Sequence, residues 1–282
     1  MKIAVSVEST SDLSKALLLE YDIKCIPFQI SIGDNVFKDG EVSTSEIFAL
    51  ADKLKVLPKT TALNEFEYTE YFENLLKEYD AVVHISLSSE LSSSCSNAFK
   101  AAESLNNVYV VDSKSLSTGI GLLALYARKL ASQGVAPQEI QKLVQERTSA
   151  LQVSFVVERL DYLYKGGRCN ALSYFGANVF HIRPRIVVKD GKMGSDKKYR
   201  GAMGKVVTKY CYGILDEFDT PDLDTVFITY TSATEEMVAA AREACENAGF
   251  KNIYQTYAGG TIASHCGANT LGILYFNDGK KE

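Results

Sequence analysis

Three stretches of this chain gather small hydroxyl residues and glycines in a way that suits an anion. They are Pro58-Lys59-Thr60-Thr61-Ala62, the serine-rich run from Ser86 to Ser94, and the loop Gly259-Gly260-Thr261-Ile262-Ala263-Ser264-His265-Cys266-Gly267. Hydroxyls donate hydrogen bonds, and glycines let backbone approach a ligand closely. The serine-rich run follows an apolar strand signal and opens a helix signal. In an open α/β sheet, ligands sit at the carboxyl ends of strands, where free N–H groups and the helix dipole favour negative charge. Ser88 to Ser94 is therefore a candidate anion cradle. The same serines can instead simply cap the helix.

The three histidines differ in setting. His84 lies within Val82-Val83-His84-Ile85 and reads as a structural histidine of a strand. His181 precedes Arg183-Pro184 and receives no role. His265 sits in the glycine-rich loop, where function tends to concentrate. Arg168 follows Gly166-Gly167, a turn that presents a side chain. Arg183, Arg185, Lys189, Lys192, Lys197, Lys198, Arg200 and Lys205 make the 183–205 stretch locally basic, and a solvated face is its plain reading. Ser92 and His265, with Asp112 to orient the ring, would make an acyl hydrolase. No Gly-x-Ser-x-Gly elbow supports that reading. Neither a P-loop nor a Gly-x-Gly-x-x-Gly pattern is present, which weighs against phosphate transfer and dinucleotide binding. A sensor of another small acidic ligand stays open.

These residues need a scaffold. Ile3 to Val7 reads as a first strand, and Leu13 to Tyr21 as a helix capped by Thr10 or Ser11. Cys25 to Ile32 and Val36 to Phe37 flank a hairpin turn at Gly33-Asp34-Asn35. Ser43 and Asn64 are caps for the next two helices, and Ala81 to Leu87 is a buried strand. Repeated strand–crossover–strand units predict a parallel sheet covered by helices. Past residue 150 the order changes: a strand Gln152 to Val157, a hairpin about Asp190-Gly191, then helices around strands at 226–231, 252–257 and 271–276. The expected architecture is two α/β domains, 1–150 with a mainly parallel sheet and 151–282 with a mixed one. The first carries the Thr and Ser stretches, the second the Gly-Gly-Arg turn and the His stretch.

Composition narrows the function. The chain has 282 residues, 46% hydrophobic and 23% charged, as an ordinary globular protein does. A net charge of −5 argues against nucleic acid, whose binders rely on Lys and Arg. No run approaches the ~20 apolar residues of a membrane helix. The start, Met1 to Glu8, is too short for a signal-peptide core. The six cysteines are scattered with no Cys-x-x-Cys, which predicts free thiols, a cytoplasmic location and no zinc site.

Taken in order, these residues resemble the DegV family of bacterial fatty-acid-binding proteins. The resemblance runs from Glu8-Ser9-Thr10-Ser11-Asp12-Leu13 through Pro27-Phe28 and Phe37-Lys38-Asp39-Gly40 to Pro58-Lys59-Thr60-Thr61. It continues through Leu91-Ser92-Ser93-Ser94, Asp112-Ser113, Lys165-Gly166-Gly167-Arg168, Asp190-Gly191, Tyr199-Arg200-Gly201, and His265 with Gly267. It implies a fatty acid in a tunnel between the two domains, with its carboxyl group held by hydroxyls and a histidine. Carried over, that set is Thr60 or Thr61, Ser92, Ser93 and His265. Arg168 falls near the head group or acyl phosphate, and Arg200 is a candidate contact for a partner. That partner is a separate fatty acid kinase, which phosphorylates the bound acid. The resemblance implies no catalysis by this chain and no cofactor beyond the bound acid. Glu8 stands where the family usually has Asp, Ser93 replaces a Gly, and Gly267-Ala268-Asn269 replaces a Gly-Pro-Gly turn. Ile120 to Leu125 and Phe175 to Phe180 are apolar enough to line a tunnel or to be plain core.

Overall fold

The computed structural model describes residues 1–169 and 182–279. Strand β1 (Ile3–Glu8) runs parallel to β2 (Ile23–Ile26) on one side and to β6 (Ala81–Ser86) on the other. With β7 (Val108–Asp112) they form a parallel sheet in the order β2-β1-β6-β7. Every residue of β1 and β6 is buried, as strands covered on both faces must be. Helices α3 (Glu65–Leu76) and α4 (Ser94–Glu103) pack together against β6, and α5 (Thr118–Ser132) and α6 (Pro137–Arg147) also pack together and against it.

Pro27 interrupts the expected Cys25 to Ile32 strand, because it has no N–H to give a ladder. The chain leaves β2 there and starts β3 (Gln29–Ile32), which pairs antiparallel with both β4 (Asn35–Lys38) and β5 (Lys59–Thr61). The first of the anion-suited stretches, at 58–62 and expected to be loop, is thus partly strand. Helix α2 (Thr44–Leu54) opens on a capping box of Ser43 with Glu46, and α3 on one of Asn64 with Glu67. The first helix, α1 (Lys15–Glu20), is capped by Ser14 rather than by Thr10 or Ser11. Those two residues are buried in a 3-10 turn, and Asp12 follows at a left-handed φ of 52°.

The second sheet holds β8 (Leu151–Val156), β9 (Ile182–Lys189), β10 (Lys192–Arg200), β11 (Thr225–Tyr230), β12 (Asn252–Tyr257) and β13 (Leu271–Phe276). Its order is β10-β9-β8-β13-β11-β12, antiparallel except for the β11–β12 pair. It is mixed, as expected. Helices α8 (Met203–Glu217) and α9 (Glu235–Asn247) pack together on it. The short α7 (Asp161–Lys165) and α10 (Gly260–Cys266) touch each other beside the first sheet's loops.

Helix α5 joins the halves. It touches β1 and β6 of one sheet and β8, β11 and β13 of the other. Thr118 to Ala124 are all buried, so the first two turns are covered on every side, whereas Lys129 and Ser132 beyond them are exposed. Ile120, Leu122, Leu123 and Ala124 are core, and Leu122 and Leu125 also border a cleft at the helix's far end. Phe175 to Phe180 and His181 lie outside the described residues.

The basic 183–205 stretch is not uniformly a solvated face. Arg185 is fully buried, with Nε 2.8 Å from Asp196 Oδ1 and Nη1 2.9 Å from Glu217 Oε2. A buried guanidinium without such partners would be strongly unfavourable. Lys197, Lys198 and Arg200 are exposed. None of the six cysteines is joined in a disulfide. No helix among the described residues is long and apolar enough to cross a membrane.

Candidate functional site

Successive side chains on a strand point to opposite faces, so β5 can offer only one of its two threonines to a given site. Thr60, opposite Ile30 of β3, is the one that faces inward. Its Oγ1 lies 2.9 Å from His265 Nε2. Thr61 is exposed.

His265 sits on a helix, not in the expected loop. The two glycines start α10 rather than loosen it. Gly259 is its N-cap, and a Cβ on Gly260 would strike the side chains of Ile30 and Ile47. The absence of a side chain lets the helix lie on β3 and α2. Two carboxylates from the first half take its leading N–H groups. Gly259 donates to Asp12 at 2.7 Å, and Gly260 and Thr261 donate to Asp39 at 2.8 and 3.1 Å. These groups have no partner within the helix, and the helix dipole favours negative charge there. Burial, with the Asp39 charge added, pushes the Asp12 carboxyl well above its usual range despite the bonds from Ser117 and Gly259. Sequence reading gave no role to Asp12 or Asp39 because their partners are more than 200 residues away.

The other face of the His265 ring meets Gly166, at the end of α7. A Cβ there would lie 2.6 Å from His265 Nδ1 and 2.8 Å from the Tyr162 carbonyl. Nδ1 is buried and has no hydrogen-bond partner. Burial, and then the nearby charge of Arg168, hold the His265 pKa down to about 4. The imidazole is neutral at pH 7, with one ring nitrogen a donor and the other an acceptor.

Ser92 comes to the same place from the end of β6. Its Oγ accepts the Ser94 N–H at 3.2 Å, which leaves the hydroxyl proton available. The serine loop is fixed by Ser88, which donates to the Gly191 carbonyl at 2.9 Å, and by Asp112, which accepts from Ser89 N at 3.2 Å. Burial raises the Asp112 pKa, but bonds from Lys114 and Ser89 outweigh it and hold the carboxyl below its usual range. Asp112 thus serves the loop, and His265 Nδ1 lacks the carboxylate partner that a hydrolytic triad needs. Ser93 is exposed, makes no capping bond and does not line the cavity below.

Thr60, Ser92, Arg168, Thr261 and His265 line one cavity of about 50 Å³. Its apolar walls include Phe28, Leu87, Leu116, Met193, Ile262 and Cys266. Leu116, Ile262 and Cys266 also border a second cavity of about 20 Å³ that reaches Phe155, Tyr230 and Leu274. Both are small beside the ~300–1,000 Å³ of usual ligand pockets, so a long ligand must part these walls. Two roomier clefts, about 520 and 720 Å³, contain none of Thr60, Ser92 or His265 and carry several charged residues. Arg168 is exposed at the mouth. Its Nη1 donates to the Gly166 carbonyl at 2.8 Å and its Nε to the Leu91 carbonyl at 3.3 Å. Arg200, at the end of β10, is exposed and lines no part of either cavity. Nothing in the sequence alone marks Thr261 as a site residue. Its place one helical turn before His265 becomes a signal only once α10 is known to be a helix. No cluster among the described residues has the make-up of a metal site.

Comparison with known proteins places this chain among relatives. The model of the DegV family of uncharacterised proteins matches residues 2–278. A DegV domain-containing protein of Caldanaerobacter subterraneus is 29% identical over 279 residues, 97% of this chain and 98% of that protein. A fatty acid-binding protein of Thermotoga maritima is 31% identical over 211 residues, covering 71% of this chain and 72% of its own length. The structure of a fatty-acid-binding DegV family protein from Thermus thermophilus superposes with a TM-score of 0.89 at 25% identity, over 98% of this chain and 99% of that one.

Proposed function

Because the chain belongs to the DegV family, we propose that it binds a long-chain fatty acid, with the carboxyl group held by Thr60, Ser92 and His265. The observation that carries this reading is the Thr60–His265 pair at the head of an apolar cavity, with hydrogen-bonding capacity left over. Burying a chain of about 15 methylenes yields roughly 12 kcal/mol before costs. Lost translational and rotational freedom takes back ~4–15 kcal/mol. The tail therefore decides whether binding occurs, and the head must be hydrogen-bonded because a buried, unpaired carboxylate costs several kcal/mol. Hydroxyl donors and a neutral histidine meet that need. Thr61 and Ser93 are left out of the set, since both are exposed and neither lines the cavity.

The protein acts as a cytoplasmic carrier rather than as an enzyme, and needs no cofactor beyond the acid itself. Support comes from the missing carboxylate at His265 Nδ1 and from the fatty acid binding of its relatives. Arg168 at the mouth suits an acyl phosphate, because guanidinium binds phosphate bidentately. A separate fatty acid kinase reaches the head group there, with Arg200 on its docking rim. The test is mass spectrometry of lipid extracted from the purified protein. One equivalent of long-chain acid is expected. Turnover of acyl esters without retained acid would favour a hydrolase instead.

A further inference from the structure

The carboxyl-binding set does not use every polar group in the cavity. The Thr261 side chain is 4% exposed, its Oγ1 has no hydrogen-bond partner, and it lines the same cavity as His265 and Thr60. Buried hydroxyls without partners are uncommon, and each is unfavourable until something bonds to it. Thr261 lies deeper than the half-buried Thr60, Ser92 and His265. Its neighbour in sequence, Ile262, borders both the head-group cavity and the apolar one beyond it. Thr261 itself borders only the first cavity, so its hydroxyl faces the part of the ligand nearest the head group.

Residues four apart on a helix face sit about 5–6 Å apart at their Cβ atoms. Thr261 and His265 are such a pair on α10. A carboxylate oxygen at His265 puts the first few carbons of the acid beside Thr261. A plain methylene there leaves the hydroxyl unpaired. A hydroxyl or oxo oxygen on that carbon gives it a partner. We infer that the site takes fatty acids bearing a second oxygen close to the carboxyl group, of the 3-hydroxy class, and that Thr261 is the residue that reads it. The inference rests on the fatty-acid reading of the cavity.

Calorimetric titration with hexadecanoic acid, 3-hydroxyhexadecanoic acid and 12-hydroxyoctadecanoic acid tests it on the delipidated full chain. The 3-hydroxy acid is expected to bind about tenfold more tightly than hexadecanoic acid, the worth of one neutral hydrogen bond. The 12-hydroxy acid gains nothing. Thr261→Val should abolish the preference, whereas Thr261→Ser should keep it. Equal binding of the 3-hydroxy and plain acids by the unaltered protein overturns the inference and leaves the fatty-acid reading intact. So does equal weakening of both by Thr261→Val, which would make Thr261 one more carboxyl donor. Binding of none of the three acids overturns both.

Discussion

Among the described residues, two clusters pair a histidine with hydroxyls, and they differ in what they leave unfinished. At the end of β1, Glu8 accepts from Tyr68 and Ser86 at 2.6 Å each and from Leu87 N at 2.7 Å. His84 completes it, with Nδ1 2.6 Å from Ser6 Oγ and Nε2 3.3 Å from Glu8. Burial alone would raise the Glu8 pKa, but the bond to His84, its charge, and the bonds from Ser86 and Tyr68 bring it below the usual value. The His265 cluster has similar chemistry and the opposite accounting: Nδ1 and Thr261 Oγ1 are buried without partners. A closed network holds a fold together, whereas an open one at a cavity is shaped for something else to close it.

Breaking the closed cluster should have the largest effect. Glu8→Ala orphans four donors, Thr10 among them, and a histidine, and is expected to cost about 3–5 kcal/mol of stability in urea unfolding. A loss below 1 kcal/mol would dissolve the contrast. His265→Ala should do the reverse. Losing one bond to a charged group weakens fatty-acid binding roughly 10- to 100-fold, while the unfolding midpoint moves little. Ser92→Ala should behave alike, and unchanged affinity in both would remove them from the site.

A smaller effect is expected with pH. Free His265 titrates near pH 4, and a bound carboxylate raises that value by attraction. The complex then holds more protons than the free protein, so affinity should rise as pH falls from 8 toward 5. Proton uptake in calorimetry would register it, and His265→Gln should flatten it. The smallest effect on lipid belongs to Arg200→Glu. Fatty-acid affinity should barely move, while phosphorylation by a cognate kinase slows, more at low salt, as a rim charge implies. Equal loss of both would bring Arg200 into the pocket.

Much of this was readable in the residues, for local reasons. Ser43 with Glu46 and Asn64 with Glu67 are reciprocal caps at fixed spacing, so both helix starts fall where the chain says. His84 sat in an apolar run and proved structural. The failures are nonlocal. Helix α10 has only seven residues and opens on two glycines, so nothing in its own sequence announces it. It is held by Asp12, Asp39, Ile30 and Ile47, which no local window includes. The choice between Thr60 and Thr61 needed β5, a strand of three residues defined by its pairing with β3. Thr10 and Ser11 looked like caps, yet Thr10 bonds Glu8 and the helix waits for Ser14.

The bracing of α10 has a consequence for how the protein is made. Asp12 and Gly259 are separated by 247 positions. A ribosome adding ~5–20 residues per second needs on the order of 10–50 s to bring the second out after the first. Throughout that interval Ile30 and Ile47 lack the helix that covers them, and no nascent chain can hold a lipid by His265. Newly made chains thus expose this small sheet to chaperones and proteases until α10 arrives, and ribosome stalling before residue 259 should release polypeptides open to cleavage there.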